Sequence, residues 1–218
     1  MATRVVLIHA VTAAVEPIQA AFQARWPEAE IVNLLDDSLS PDRARDADMT
    51  PEMSERIAGL GCYAVGIGAG AVLYTCSAFG PAIEAFARQA SVPVLKPNQA
   101  MFERALGEGA ELGMLATFGP SVRSMEEEFE EISAGLGTKA RLRTVLVPDA
   151  MAALKSGDAE THNRLLAEAA PQLAGCDAVM LAHFSTSRAA RAVASVVSCP
   201  VLTSPDAAVD ALRRRCAA

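Results

Sequence analysis

Aromatic side chains are scarce in this chain: they make up 5% of its 218 residues, with a single Trp26, and Ala, Val and Leu supply most of the apolar mass. Small aliphatics of this kind suit helices packed closely on a buried parallel sheet. An excess of basic charge is also missing. Lys and Arg number 19 against 26 Asp and Glu, giving a formal net charge of −7, and this excludes a general nucleic-acid surface, because phosphate binding needs a basic field. None of the five cysteines (62, 76, 176, 199 and 216) forms a C-x-x-C pair, their number is odd, and the chain is too long for a disulfide scaffold. Reduced thiols in the cytoplasm are therefore expected. No basic leader with a small-residue cleavage site precedes the apolar pattern after Met1-Ala2-Thr3-Arg4, so no signal peptide is expected. A phosphate-binding G-x-x-x-x-G-K loop and metal-spaced His/Cys clusters are both absent, and neither a cofactor nor a metal is expected. Gly66-Ile67-Gly68-Ala69-Gly70 is glycine-rich but lies before a strand, where a dinucleotide fingerprint does not sit.

What is present is an apolar chain, 51% hydrophobic and 21% charged, which excludes disorder as the main state and leaves room for one or two domains. Residues 57–83 carry no charged side chain, a run long enough to cross a bilayer. Glycines at 59, 61, 66, 68, 70 and 80 punctuate it, Pro81 follows, and no aromatic belt flanks it. It reads as a buried helix, a turn at Gly68 to Gly70 and a central strand, with no membrane partner.

Strand and helix alternate along the whole chain. Strands are predicted at 4–9, 30–34, 72–75, 92–95, 112–116, 141–147, 178–182 and 200–202. Helices are predicted at 14–26, 50–69, 80–89, 98–107, 121–134, 149–155, 158–173, 188–197 and 206–215. Thr50-Pro51-Glu52 is a strong helix start, with Thr as the cap and Pro in the first position. The acid-rich segment 36–49 reads as a loop, and the run Glu126-Glu127-Glu128 as a solvated face. Such alternation makes parallel sheets covered on both faces.

At an offset of 107 residues the chain matches itself without gaps. Ala71-Val72 lies over Ala178-Val179, and Ser91-Val92-Pro93-Val94-Leu95 over Ser198-Cys199-Pro200-Val201-Leu202. Cys76 falls on His183, each with the same Pro-Val-Leu triplet at the same distance downstream. Repetition of this kind marks two similar α/β halves related by a pseudo-twofold axis, expected at 1–96 with 206–218 and at 97–205. Ligands of open α/β sheets bind beyond the carboxyl ends of the strands, so Cys76 and His183 are expected to face one cleft.

The expected chemistry follows from those two side chains. A thiol before a helix start is expected to have a lowered pKa, and an imidazole titrates near neutrality. Two acid/base groups on opposite faces of one carbon can remove a proton from one side and return it from the other. Thr75, Ser77, Thr117 and Ser185 supply hydroxyl donors for an anionic group, with His9 and Thr12 from the matching loop and Phe184 beside His183. A small carboxylate is the expected partner. Lys96 and Arg123 are the only cations near the expected loop ends, with Lys96 read as a surface lysine. His162 reads as structural or exposed, and Cys62, Cys176, Cys199 and Cys216 as small apolar fillers.

Tyr74-Thr75-Cys76-Ser77-Ala78-Phe79-Gly80-Pro81 resembles the first cysteine motif of the aspartate/glutamate (hydantoin) racemase superfamily, and Leu115-Ala116-Thr117, Gly157-Asp158 with His162, and Pro200-Val201-Leu202-Thr203-Ser204-Pro205 are also similar to it. The resemblance implies two flavodoxin-like halves with an active site between them, no cofactor, a homo-oligomer, and a C-terminal helix returning to the first half. It carries Cys76 over as an acid/base thiol, and Thr75, Ser77 and Thr117 as carboxylate contacts. The second cysteine of two-thiol racemases is replaced here by His183. Three readings follow. One is a racemase or epimerase using Cys76 and His183; another is a decarboxylase or maleate-type cis–trans isomerase using Cys76 alone; the third is a non-catalytic small-acid binder.

Overall fold

A computed structural model describes residues 2–46 and 49–217. The chain divides into two compact units, Met1–Pro97 with Ala208–Ala218, and Asn98–Ala207. In the first, β1 (Arg4–His9), α1 (Val15–Arg25), β2 (Glu30–Leu35), α2 (Leu39–Arg43), α3 (Pro51–Gly66), β3 (Ala71–Tyr74), α4 (Gly80–Ala87) and β4 (Val94–Leu95) follow one another. The strands are all parallel, in the order β2-β1-β3-β4. The second contains α5 (Gln99–Leu106), β5 (Glu111–Ala116), α6 (Val122–Gly135), β6 (Arg141–Leu146), α7 (Pro148–Lys155), α8 (Ala159–Ala169), β7 (Ala178–Leu181), α9 (Ala190–Ala194) and β8 (Val201–Thr203). Its parallel order is β6-β5-β7-β8, the same topology. The last helix, α10 (Ser204–Ala217), starts in the second unit and ends in the first, where Asp210 accepts from Arg25 at 2.8 Å.

The repeat is visible in the register. Val5 pairs with Ala71 as Leu112 pairs with Ala178, and Val72 pairs with Val94 as Val179 pairs with Val201, each at the offset of 107. The outer strands break it. Glu30 opens β2 and Arg141 opens β6, four positions beyond the offset. Each inner–outer pair begins with an ion pair of opposite sense, Arg4 with Glu30 in one sheet and Glu111 with Arg141 in the other.

The interior strands are buried because helices cover both faces, so they read as unbroken apolar runs. The start of α3 is as predicted: the Thr50 hydroxyl accepts from the Met53 amide at 3.2 Å, and Pro51 takes the first turn, where no N–H is needed. This helix places Ile57, Gly61 and Ala64 on the core. Tyr74 donates to the Ile57 carbonyl at 2.8 Å. A methyl group at Gly61 would overlap the Phe86 ring and the Tyr74 hydroxyl. Gly61→Ala should therefore destabilise the protein by about 1–3 kcal/mol through overpacking. Urea unfolding is the check, and a change under about 0.5 kcal/mol would show that the packing is looser than described.

The predicted loop at 36–49 contains a helix. Leu39 anchors α2 in the core, and Arg56 ties the acids down, donating to Asp36 at 2.9 Å and to Asp42 at 2.8 Å. Residues 47 and 48 of that segment lie outside the described residues. The predicted helix 158–173 ends at Ala169, and Pro171 carries the chain on as a 3₁₀ turn. Among the described residues no helix is long and apolar enough to cross a membrane.

Candidate functional site

In the first unit the polar groups gather where β1 and β3 end. His9 is fully buried at the end of β1. Its Nε2 lies 2.9 Å from Asn33 Oδ1 on β2, and its Nδ1 lies 2.9 Å from the Thr75 hydroxyl. Burial holds the ring below its usual pKa against the opposing bond from Asn33, which favours the neutral imidazole. The Thr75 hydroxyl also lies 3.3 Å from the Ile8 carbonyl oxygen, to which it donates. Both ring nitrogens are thus used within the protein, and His9 fixes Thr75 rather than offering an open donor.

Cys76 follows Thr75 in extended backbone, with φ −126° and ψ 125°, and is half-buried against the first unit's core. A 3₁₀ turn at Ser77–Phe79 separates it from α4. A tight hollow beside it, bounded by His9, Ala10, Leu39, Ile57, Tyr74 and Phe79, has no room for a water molecule. The expectation of a lowered thiol pKa is corrected here. Burial pushes the Cys76 thiol up, and the single amide of Ala78 offsets only part of that.

In the second unit the corresponding place, two residues past β7, is held by His183. Its φ is +69°, and among the described residues it is the only non-glycine at positive φ. An L-residue there is strained by roughly 1–2 kcal/mol, and such strain concentrates at functional positions. Its Nε2 lies 2.7 Å from the Ser121 hydroxyl, and Nδ1 is buried with no hydrogen-bond partner. Burial lowers the pKa of the ring, with the Ala182 backbone opposing, and this favours the neutral imidazole. Thr117, just beyond β5, is also buried, and its hydroxyl has no partner. Phe184 is buried, and Ser185 opens the 3₁₀ turn that leads to α9.

The remaining expectations fare differently. Ser77 is half-buried, while Thr12 opens a 3₁₀ turn at the surface. Lys96 is buried rather than superficial, with its ammonium on Glu84. Arg123 is exposed and pairs along α6 with Glu127. His162 is fully buried on α8, with Nδ1 2.9 Å from Asn163 Oδ1, which rules out the exposed reading. Cys62 is exposed on α3 and is no core filler. A second hollow, of about 330 Å³, lies at the opposite, amino ends of β5 and β6 beside Arg141, Arg143 and Cys176. Among the described residues no group of three or more His, Cys, Asp or Glu is placed to hold a metal ion.

Two polar partners of the candidate histidines, Asn33 and Ser121, carry little signal in the sequence. Asn33 is polar within an apolar strand, and that break in pattern was the available signal. Ser121 stands where a helix cap is expected, yet its side chain caps no amide.

Residues 5–174 match the family model of the Asp/Glu/Hydantoin racemases. Similar solved structures include an aspartate racemase from Picrophilus torridus (16% identity, TM-score 0.74, covering 99% of this chain and 94% of that one). The allantoin racemase of Pseudomonas fluorescens aligns at 16% identity and TM-score 0.70, over 97% and 90% of the two chains. Glutamate racemase isoform RacE1 of Bacillus anthracis aligns at 12% and 0.69, over 97% and 80%. At these identities the likeness is one of fold. No curated protein sequence matches significantly.

Proposed function

Because this chain belongs to the Asp/Glu/hydantoin racemase family, we propose that it is a cofactor-independent racemase or epimerase, with Cys76 and His183 as its acid/base pair. The substrate is a small molecule whose reacting carbon neighbours a carboxylate or a hydantoin carbonyl. The observation that carries this reading is His183, a neutral and strained imidazole with a bare, buried Nδ1, standing at the strand end that matches the one bearing Cys76.

The resting pair is thiol and neutral imidazole, the state that both pKa directions favour. From one enantiomer His183 takes the proton, becoming imidazolium and leaving an enolate-like carbanion. The Cys76 thiol then delivers its proton to the opposite face and becomes thiolate. Proton exchange returns the pair to rest, and the mirror enantiomer runs the same steps backwards. Ser77 and Thr117 supply hydroxyls to the carboxylate oxygens, stabilising charge as it develops, beside Thr75, whose own hydroxyl is held within the protein.

The test uses both enantiomers of aspartate, glutamate and allantoin in deuterated water, read by NMR and optical rotation. One enantiomeric pair should exchange its hydrogen at the stereocentre and converge to equal proportions, and Cys76→Ser should suppress this. Exchange indifferent to Cys76→Ser would overturn the pairing. Carbon dioxide release from a malonate without racemisation would favour the decarboxylase reading instead.

A further inference from the structure

We propose that Ser121 is a positioning residue that holds His183 as its Nε2–H tautomer, making Nδ1 the atom that accepts the proton. The inference rests on the proposed acid/base role of His183 and adds which atom does the work and what selects it.

Ser121 Oγ lies 2.9 Å from the Phe118 carbonyl oxygen. A carbonyl only accepts, so the hydroxyl directs its one proton there. The same oxygen lies 2.7 Å from His183 Nε2 and has only lone pairs left to offer. Nε2 must therefore carry the hydrogen and donate. A neutral imidazole has one N–H, which leaves Nδ1 as a lone pair. Nδ1 is the buried ring atom without a partner, which leaves its lone pair open to take a substrate proton.

The internal repeat supplies an independent observation. The 3₁₀ turn Gly119–Ser121 corresponds, at the same offset of 107, to Thr12–Ala14 in the first unit. Each turn leads directly into a helix, Val122 of α6 and Val15 of α1. Ser121 thus matches Ala14, just as His183 matches Cys76. The hydroxyl occurs in the half whose acid/base group has two nitrogens to choose between, and is missing where a thiol has one sulfur. Ser121 caps no amide of α6, so helix capping does not account for it.

The test is the tautomer of His183, read in substrate-free protein labelled with ¹⁵N-histidine. Long-range ¹H–¹⁵N spectra distinguish Nε2–H from Nδ1–H, and His183→Gln assigns its signals among the three histidines. The wild type should show Nε2–H. Ser121→Ala should shift His183 toward Nδ1–H or a mixture, and Ser121→Thr, which keeps the hydroxyl, should restore the wild-type spectrum. On a racemised substrate, Ser121→Ala should lower kcat by about 10- to 100-fold with KM nearly unchanged. A wild-type Nδ1–H signal, or a spectrum unaltered by Ser121→Ala, would overturn the assignment. Because no substrate is needed for the spectrum, failure of the wild type to racemise anything would count against the proposed function and not against the tautomer.

Discussion

Replacing His183 with glycine should lower racemisation by about 10²–10⁴-fold, the contribution of a general acid/base group, and should leave a protein more stable than the one with alanine there. The reversal is diagnostic. Glycine ordinarily costs about 0.5–1 kcal/mol relative to alanine, because it loses more backbone freedom on folding. At φ +69° the order inverts, since alanine must carry a Cβ into the left-handed region while glycine enters it freely. His183→Gly should exceed His183→Ala by about 1 kcal/mol in urea unfolding, with both variants inactive. Alanine as stable as glycine would mean the backbone is unstrained. Activity within about tenfold of wild type in either variant would remove His183 from the chemistry.

The second large effect is in the pH profile. A pair working as thiol and neutral imidazole is in its active state between the two pKa values. Burial lowers that of His183 below the usual 6.5 and raises that of Cys76 above the usual 9.0. The sign at each limb follows. Activity falls at acid pH when the imidazole gains a proton, and at alkaline pH when the thiol loses one. The profile of kcat/KM should therefore stay flat across the whole span from 6.5 to 9.0 and fall about tenfold per unit only beyond the shifted pKa values, which lie outside that span. A site whose base was the Cys76 thiolate alone would instead gain about 100-fold between pH 7 and 9. Flatness against a steep rise separates the two mechanisms without any mutation.

Much of the fold was legible because its signals are local and repeated. Thr50-Pro51 marks the start of α3, and Pro-Val-Leu marks β4 and β8. What was hidden depends on distant partners. Nothing within 36–49 signals that Leu39 enters the core, or that Arg56 on the following helix gathers Asp36 and Asp42. The candidate site divides in the same way. Cys76 and His183 could be placed from strand ends, whereas the direction of the thiol's pKa depends on burial, a tertiary property. Ser121 was masked by resemblance to a helix cap. His183 carries a left-handed backbone, which a histidine signals far more weakly than a glycine would.

The four-position slip between the sheets falls in β2 and β6, each of which has a neighbour on one side only. A border strand can gain or lose length in the approach to it without dragging an interior ladder out of step. Cys76 and His183 follow interior strands, which keep the common spacing. Longer or shorter connections leading into β2 and β6 can thus be grafted while Cys76 and His183 keep their common spacing.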